Sequence, residues 1–499
     1  MPGTNVRYVK PTTCLAIGIL KSITKEVISW KNTMTKRNII FLNIVACLTF
    51  IVRHNIYYRR CISLHEERVN NMTYNRKNTL THRIQKITTD INKLCNINPY
   101  LLVITLTVLV GILSLIPALS SLMENTTIKN IGQILATTIW AKSGTPEDIQ
   151  AAVDAAAAAG GGTVYIPEGI FLWNASSFTQ TFWGRPTGVI IPGGVNVIGA
   201  GVNKTILQVI ERAPDNALMF GVDGKGKPAR ISGIHFKGYV VDETENIGGI
   251  RLVDVKDFRV DHCIFENFDN AAILTRKQSS TKVHRGVIDH NIFDNPYKEI
   301  MENSRWGYGI IVSAYYGIKD IIWKPLDDYL GKYEDNVVYI EDNIFHRCRH
   351  SIASNEGGYY VARYNVFDSP IPPNFGIIDV HGVSGYEEPG GRGLEAYGNI
   401  IIGAEGYDAS QAFWIRGGGG VIFNNTMQNI LYGVGLYKEN PNPEYWVKDL
   451  YIWNNSMDRG KLINNYGNYT ENVDYFLYAK PGYTPFPYPH PLTLQDWLS

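Results

Sequence analysis

Cysteine and charge are scarce in this 499-residue chain. Six Cys are too few for a disulfide scaffold, and we expect the two in the C-terminal part, Cys263 and Cys348, to be free buried thiols. Charged residues make up 19%, with a formal net charge of +1. We find no phosphate-binding loop, dinucleotide-binding glycine fingerprint, zinc-ligand spacing or serine-nucleophile motif. A hydrophobic content of 45% nevertheless excludes a mainly disordered chain.

The small net charge conceals an uneven division of charge. Of the 47 basic and 46 acidic residues in the chain, residues 1–98 hold 16 and 4, a net of +12. That leaves 31 basic and 42 acidic residues for the remainder, a net of −11. Because a domain with this negative charge repels phosphates, the sequence predicts that nucleic acid is not a partner.

An uncharged run of 30 residues, from Leu94 to Met123, separates the two parts. About 20 apolar residues span a bilayer, so we predict one transmembrane helix or signal anchor over 99–122. Basic residues stay on the cytoplasmic side, which places the basic region 1–98 inside the cell and the C-terminal part outside. If the run is instead a cleaved signal peptide, the protein is secreted. A shorter uncharged run, 38–52, has basic flanks and predicts an interfacial or marginal helix.

The outer part begins with a short alanine-rich helix. Thr145 suits the N-cap and Pro146 the first helical position, and Gly160–Gly162 end the helix. This helix and the string GGGTVYIP that follows it resemble the N-terminal cap of right-handed parallel β-helices of the pectate-lyase-like superfamily. A small-residue helix of this kind covers the apolar end of the first coil.

A three-residue signal, Asn followed by any residue and an apolar residue, recurs after the cap. It starts at Asn291, Asn343, Asn365, Asn399, Asn425 and Asn455, and Cys263 takes the place of Asn in an earlier copy. Most spacings lie between 22 and 34 residues, a solenoid period, and the single spacing of 52 is interpreted as two coils plus an insertion. Asn tolerates the left-handed conformation at a coil corner, and its amide bonds to the amide of the next coil.

These patterns predict an all-β fold, a right-handed parallel β-helix (a solenoid) over 144–475. A linker, 123–143, precedes it, and a tail rich in proline and aromatic residues, 476–499, follows it. A β-propeller or a β-sandwich is the alternative, but both need tight hairpins, and two-residue Asn-Gly turns are scarce here. Asn-x-Ser/Thr sequences after the apolar run agree with an external glycoprotein.

Polar residues are densest between 346 and 382. The strings CRHSIAS, YVARYN and IDVHG, together with YPHPL near the end, are similar to segments of uncharacterised surface β-helix proteins, a resemblance that covers roughly 140–499 and implies no particular reaction. Aligning the repeats places Asn355 and His381 in one column, next to Arg276. Asp379 shares a strand face with His381 two residues later, so this pair is a candidate carboxylate-oriented general base.

β-Elimination of a uronic acid residue needs a base and a cation that neutralises the substrate carboxylate. The predicted catalytic residues are His381, Asp379, Arg349, His350 and Arg363. The predicted substrate-binding residues are Arg416, Glu356, Trp306, Tyr308 and Trp323. The aromatic members belong to a cluster within the 52-residue spacing, which either forms a platform for sugar rings or covers the flank of the solenoid. For the charged members, a structural salt-bridge ladder is the alternative.

The sequence therefore favours a membrane-anchored, extracellular carbohydrate-active protein, either a polysaccharide lyase or a glycoside hydrolase, with a polysaccharide or surface glycan as its partner. A non-catalytic surface or adhesion protein that binds glycans is the alternative. The Asp trio, Gly-His-Gly and Arg-x-Lys of polygalacturonase-type hydrolases are not found. No cofactor is firmly predicted. Calcium is the candidate ion, because Asp261, Asp289 and Glu341 hold one repeat position, although a solvated acidic ladder is the favoured explanation of these residues.

Overall fold

Three long sheets, each built from parallel strands, run through the structure. The computed structural model describes residues 138–239, 247–295, 307–314, 323–368, 376–383, 388–403 and 411–495. Each coil adds one strand to each sheet, and strands of consecutive coils pair in parallel. The short pair Gln180–Phe182 and Arg185–Pro192 is antiparallel. The chain thus winds as a parallel β-helix, as the sequence predicts.

We name the sheets 1, 2 and 3 and give their described strands in chain order. Sheet 1 consists of Thr138–Trp140, Gly162–Ile166, Val195–Gly199, Arg230–Ser232, Lys256–Asp261, Arg285–Asp289, Val337–Glu341, Tyr359–Arg363, Gly393–Tyr397, Gly419–Phe423, Leu450–Trp453 and Tyr475–Phe476. Sheet 2 consists of Gly169–Trp173, Thr205–Val209, His235–Lys237, Ile264–Glu266, Ile292–Asp294, Ile344–His346, Val366–Asp368, Ile400–Ile402, Thr426–Gln428 and Ser456–Met457. Sheet 3 consists of Gln180–Phe182, Arg185–Pro192, Ala217–Asp223, Ile247–Val253, Ala271–Arg276, Tyr308–Ser313, Ile352–Asn355, Gly376–Val380, Gln411–Ile415, Tyr432–Leu436 and Lys461–Asn465.

The capping helix forms where the sequence predicts it, over Pro146–Ala158. The Thr145 hydroxyl accepts a hydrogen bond from the backbone N–H of Asp148, and Pro146 occupies the first turn. Ile149 and Val153 on its inner face are fully buried. The helix therefore covers the apolar end of the solenoid. Single-turn 3₁₀ helices lie at Ala175–Ser177, Leu326–Asp328, Pro443–Tyr445 and Pro491–Leu494.

The recurrent Asn residues form a buried ladder between sheets 1 and 2. Asn365 is typical, because its side-chain oxygen accepts from the backbone N–H and the amide of Asn343 at 3.0 and 3.1 Å. Its own amide donates to Asn399 and to the carbonyl of Ile340. The predicted amide stacking is therefore confirmed, but the left-handed corner residue is the one before each Asn, for example Tyr364 with a φ of 56°.

Loss of one ladder side chain is expected to destabilise the solenoid. Asn365→Ala leaves buried backbone and amide groups of both neighbouring coils unpaired, which costs about 1–3 kcal/mol for each such group. We therefore expect a clearly lower urea midpoint of unfolding. Asn424→Gly is the matched control, since Asn424 lies at an exposed corner with a φ of 53° that glycine adopts readily. An unchanged midpoint for Asn365→Ala would contradict the ladder's structural role.

The apolar residues of the same signal fill the core. Phe265, Phe293, Phe345 and Phe367 stack on one another with ring centroids 4.6–5.1 Å apart. This stack also corrects the interpretation of the 52-residue spacing. Ile292 pairs directly with Ile344, so the spacing is one coil with a long insertion rather than two coils. Cys263 and Cys348 are free and buried, as predicted.

The outer face of sheet 1 is covered by part of the insertion and by the C-terminal tail. Tyr329 is buried and stacks on Tyr359, with ring centroids 4.8 Å apart. From the tail, the Tyr483 hydroxyl donates to the Glu395 carboxylate at 2.5 Å. For Tyr329 and the neighbouring Tyr333, the structure therefore supports the flank-covering role rather than an exposed sugar platform.

Glu395 beneath this cover gives a pH dependence to stability. Burial raises the pKa of Glu395 to about 7, against hydrogen bonds from Tyr483, the backbone of Gly331 and Tyr359 that lower it. Between the unfolded pKa of about 4.5 and about 7, the folded state holds a proton that the unfolded state releases, so stability falls as pH rises through this window. Over this window we expect the free energy of unfolding to fall by up to roughly 3 kcal/mol. The variant Glu395→Gln should abolish this pH dependence, whereas Glu444→Gln, at an exposed position, should retain it. Urea denaturation at several pH values between 4.5 and 8 measures it, and a pH-independent wild-type midpoint would refute it.

Several predictions fall on other parts of the chain. The predicted transmembrane helix 99–122, the basic region 1–98, the interfacial segment 38–52 and Trp306 lie outside the described residues. Within the described ranges, no helix has both the length and the apolar character needed to cross a membrane. The anchor therefore stays a prediction.

Candidate active site

Adjacent strands of sheet 3 bring a cluster of polar side chains to the outer face of the solenoid. Along Gly376–Val380, Ile378 and Val380 belong to the core, so Asp379 between them points outward. Asp379 pairs with Ala353 on the preceding coil and with Trp414 on the following one. The strand register thus sets which side chains meet at this point.

Asp379 is the centre of the cluster. Its Oδ2 lies 2.6 Å from both His381 Nε2 and Arg416 Nη2, and its Oδ1 lies 3.1 Å from Arg416 Nε. Arg416 also donates to Glu439 at 2.9 Å. Burial alone would raise the pKa of Asp379, but the guanidinium of Arg416 and the two nearby imidazoles hold it well below its usual range. The buried carboxylate is therefore ionised.

His381 is held in one tautomer by this carboxylate. An ionised carboxylate only accepts hydrogen bonds, so His381 Nε2 carries the proton and Nδ1 carries the lone pair. The side chain keeps 16% of its surface exposed, whereas Asp379 keeps none. Backbone bonds from His381 to Ser354 and from Gly382 to Glu439 fix the strand end. The Asp379 carboxylate thus fixes the His381 ring through Nε2, which is the pairing expected from the Asp-x-His spacing.

His350 lies beneath the pair and is shielded from solvent. Its Nδ1 donates to the carbonyl of Gly376 at 2.5 Å, and its Nε2 lies 4.0 Å from Asp379 Oδ2. Burial lowers the pKa of His350 to about 3, so this imidazole is neutral at physiological pH. Because it is buried, His350 fits a positioning role better than the direct catalytic role expected from sequence.

Tyr308 and Arg349 complete one side of the cluster. The Tyr308 ring lies 5.1 Å from the ring of His350 and 6.2 Å from that of His381. The Arg349 guanidinium lies 5.6 Å from the centre of the Tyr308 ring. A phenol and a cation therefore stand beside the imidazole base, so the structure gathers Arg349, His350, Tyr308 and Arg416 around the predicted Asp379–His381 pair.

Arg363 is elsewhere, which corrects its assignment. It belongs to sheet 1, where its fully buried guanidinium pairs with Glu341 at 2.6 Å. It also donates to the Tyr397 hydroxyl and to the backbone carbonyls of Phe486 and Pro487 in the tail. These bonds give Arg363 a structural role, because they attach the tail to sheet 1. They leave its guanidinium engaged within the protein rather than available to a substrate.

The two other described substrate-binding candidates are at the margins of the cluster. Glu356 is paired with Arg276 at 3.0 Å, so its carboxylate is already neutralised. Trp323 packs edge-on against Tyr445, with ring centroids 5.0 Å apart, and it packs against the Arg392 guanidinium. The structure does not join Trp323 to the base.

Sequence reasoning missed two members of the cluster. Trp414 stacks on Arg416, with 4.7 Å between the guanidinium carbon and the ring centre, and Glu439 holds Arg416 from the other side. Trp414 lies on the strand Gln411–Ile415 and Arg416 directly follows that strand. Their spacing of two residues could have indicated that both side chains lie on the same face. Glu439 comes from a loop of the next coil, and no local pattern marks it.

A metal ion fits this cluster poorly. Side-chain ligand atoms of His350, Asp379 and His381 lie within 4.8 Å of one another, and they are the one such group among the described residues. Two of the three ligands are imidazole nitrogens, whereas calcium takes oxygen ligands. The Arg416 guanidinium already neutralises the Asp379 carboxylate. A divalent ion bound here would lie close to that guanidinium and would be repelled by its positive charge.

The acidic column considered for calcium is also engaged. Asp261 pairs with Arg230 and Arg259, and Asp289 pairs with Arg259. Both carboxylates are fully buried, as is Glu341 opposite Arg363. These residues therefore form a buried ion-pair ladder, which corrects the expectation of a solvated one.

The strand topology identifies the fold. No protein-family model matches the chain. Its three parallel sheets, with one strand of each in every coil, decide the architecture. The chain is a parallel β-helix protein. An alginate lyase from a Paenibacillus species is similar, with a TM-score of 0.42 and 14% identity over 68% of this chain and 99% of that one. An exopolygalacturonase from Thermotoga maritima is similar, with a TM-score of 0.39 and 12% identity over 66% of this chain and 87% of that one.

A curated relative of this β-helix protein is an epimerase. The mannuronan C5-epimerase AlgE4 of Azotobacter vinelandii is 34% identical over 102 residues. The match spans 20% of this chain and 14% of that protein. The chain is thus similar to proteins named as a lyase, a C5-epimerase and an exopolygalacturonase.

Proposed function

We propose that this β-helix protein is a polysaccharide-active enzyme that removes the proton next to the carboxylate of a uronic acid residue. The Asp379–His381 pair carries the proposal. Asp379 lies 2.6 Å from His381 Nε2, which leaves the lone pair on Nδ1 of a partly exposed ring. An oriented neutral imidazole is a suitable base near pH 7.

The chemistry assigns roles to the neighbours. His381 takes the proton from C5, and the electron pair of the broken C–H bond moves onto the substrate carboxylate. Arg349 neutralises the charge that develops there. In elimination, the electrons return to form the C4=C5 bond and the glycosidic oxygen leaves with a proton. In epimerisation, C5 instead regains a proton on its opposite face. We assign the proton donation to the Tyr308 hydroxyl, because the Tyr308 ring lies edge-on to the His381 ring with centroids 6.2 Å apart.

Hydrolysis is less well supported by the same geometry. A glycosidase uses two carboxyl groups, and one of them must carry a proton to protonate the leaving oxygen. In the cluster, Asp379 and Glu439 are held by Arg416, and Glu356 is held by Arg276. Each of these three carboxylates is engaged by a guanidinium group, so none of them is positioned to protonate a leaving oxygen.

The sequence relative supports the substrate class. That relative is a mannuronan C5-epimerase, and C5 is the carbon from which His381 is proposed to remove the proton. A uronate polymer also matches the need for a cation, which Arg349 meets. We therefore place polyuronates first among the substrates to be tested.

We further propose that the β-helix acts outside the cell, anchored by the helix predicted over 99–122. The charge division and the 30-residue uncharged run support this topology. Protease applied to intact cells should then remove the β-helix and spare residues 1–98. Selective digestion of the basic region would refute the topology.

Solvent exchange tests the catalytic proposal directly. The protein is incubated in D₂O with mannuronan, polygalacturonate and a neutral glycan as control, and the products are examined by NMR and by the ultraviolet absorbance of unsaturated sugars. Unsaturated ends support elimination, and deuterium at an inverted C5 supports epimerisation. New reducing ends without unsaturation would show hydrolysis and overturn the proposal. Binding without any reaction would overturn it in favour of the glycan-binding alternative.

A further inference from the structure

The Asn-x-Ser/Thr sequences, which are acceptors for N-linked glycans, have no role in the proposed reaction. Five of them begin within the described residues, and the asparagine of each is exposed. They begin at Asn174, Asn203, Asn424, Asn454 and Asn468. Because the motif requires the hydroxyl residue as well as the asparagine, the exposure of both side chains distinguishes among the five.

Two of the five sequences are engaged within the folded protein. Thr205, the hydroxyl residue that follows Asn203, is fully buried, and its Oγ1 donates to the carbonyl of Pro167 at 2.9 Å. The side-chain oxygen of Asn174 accepts a hydrogen bond from the hydroxyl of Ser176 at 2.7 Å. In each of these two sequences, a side chain that defines the acceptor is therefore already held by the protein.

The other three asparagines have the same backbone conformation and the same exposure. Asn424, Asn454 and Asn468 have left-handed φ angles of 53°, 51° and 52°, and their hydroxyl residues, Thr426, Ser456 and Thr470, are exposed. Among the described residues, we find no hydrogen-bond partner for these three asparagine side chains. Amide and hydroxyl therefore both face solvent, and the acceptors are accessible whether transfer occurs before or after folding.

Two of these acceptors overlap with the structural repeat. Asn424 and Asn454 are the left-handed corner residues directly before the ladder residues Asn425 and Asn455. The Asn425 amide is buried and donates to Asn455, so it is not accessible to a transferase. The hydroxyl of Thr426 follows at the exposed start of the sheet 2 strand. The ladder thus fixes the backbone that presents each exposed corner amide.

These corners lie away from the proposed active site. Gly419–Phe423 of sheet 1 ends directly before Asn424, and Thr426–Gln428 of sheet 2 begins two residues after it. The corner thus lies between sheets 1 and 2, whereas Asp379 belongs to sheet 3. Ile400, which pairs with the first residue of the sheet 2 strand, is 43% exposed. A bulky, solubilising glycan here would leave the active site open and shield exposed apolar surface.

We propose that Asn424, Asn454 and Asn468 carry N-linked glycans in the exported protein. The Nδ2 atom of each asparagine forms a bond to C1 of a sugar, and the bond from C1 to the phosphate oxygen of a glycosyl phosphate donor breaks. The phosphate keeps the electron pair of that bond, and the amide releases one proton. This inference rests on the proposed external location of the β-helix and not on the reaction that it catalyses.

Mass spectrometry of the full-length protein, purified from the cells that produce it naturally, tests the sites. Sequencing of the intact peptides locates an attached sugar at a single asparagine. We expect sugar at Asn424, Asn454 and Asn468 in most copies of the protein. Asn472 is the internal control, because it is exposed with a φ of 63° but has no hydroxyl residue two positions later. Peptides without sugar at the three sites, or equal modification of Asn472, would overturn the inference.

Matched variants separate the acceptor motif from the asparagine alone. Thr426→Ala keeps Asn424 but removes the hydroxyl, and we expect it to abolish the sugar on Asn424 while Asn454 keeps its own. Thr426→Ser retains the hydroxyl and should retain both sugars. Asn424→Gly, at a corner that glycine adopts readily, should lose the same sugar as Thr426→Ala, and thermal unfolding shows whether each variant is folded. Continued modification of Asn424 in Thr426→Ala would contradict the proposed acceptor.

Two further results separate this inference from the proposed function. If protease removes the β-helix from intact cells while its asparagines carry no sugar, the external location stands and the glycan sites fail. If the asparagines carry sugar while no uronate polymer reacts, the glycan sites stand and the proposed reaction fails.

Discussion

Replacing His381 by alanine is expected to lower the rate of C5 proton abstraction by about 10²–10⁴-fold, the usual effect of removing a positioned base. The ring is partly exposed and lies at the end of a strand rather than in the apolar core, so the fold should tolerate its loss. Exchange of C5 hydrogen in D₂O measures the rate, and circular dichroism with thermal unfolding checks the fold. An unchanged rate in a folded variant would remove His381 from the mechanism.

His262→Ala is the matched control for this experiment. His262 also forms a histidine–carboxylate pair, at 2.8 Å to Asp261, but on the corner after sheet 1. It should leave activity unchanged. Asp379→Asn adds a second arm, since the amide cannot fix the His381 tautomer and leaves Arg416 without its buried counter-ion. We expect it to reduce both activity and stability, and normal activity would show that the pair is not the catalytic unit.

Replacing Arg363 by methionine is expected to reduce the free energy of unfolding by about 3–5 kcal/mol, because removing one partner of a buried pair leaves the other charge uncompensated. Glu341 would remain fully buried, and the tail carbonyls of Phe486 and Pro487 would lose their donor. Urea denaturation measures the loss. The rate per folded molecule should not change, since Arg363 lies on sheet 1 and the base lies at the end of a sheet 3 strand.

A surface ion pair provides the control for that result. Lys204 and Glu168 lie 3.9 Å apart with side chains 62% and 73% exposed, and such pairs contribute little to stability. Lys204→Met should therefore leave the unfolding midpoint nearly unchanged. If Arg363→Met instead abolished activity without destabilising the fold, the catalytic role predicted from sequence would be right and the structural role wrong.

The repeat could be predicted because the ladder demands the same residue in every coil. Asn343 and Asn365 bond to each other through their amides, and this contact leaves a visible period in the sequence. The length of the insertion after Asn291 could not be interpreted in the same way, since spacing alone does not distinguish an extra coil from a loop. Only the pairing of Ile292 with Ile344 decides between them.

The site was predictable where it depends on local spacing. Asp379 and His381 share a strand end, so two residues of sequence are sufficient to place them together. The partnership of Asp379 with Arg416 depends instead on the register between coils, which the intervening loop sets. Arg363 is closer in sequence to Asp379 than Arg416 is, but it belongs to another sheet. Short repeat signals do not reveal which of the three faces a residue occupies.

The outer face of sheet 3 has a consequence for how such a protein can change over generations. Its strands Ile352–Asn355, Gly376–Val380 and Gln411–Ile415 come from three successive coils, and the Asn ladder fixes the coils independently of their loops. A single substitution on this face therefore alters the side chains of one coil and leaves the others in register. New arrangements of side chains can arise one coil at a time, while insertions of any length accumulate between the strands without disturbing the Asp379–His381 pair.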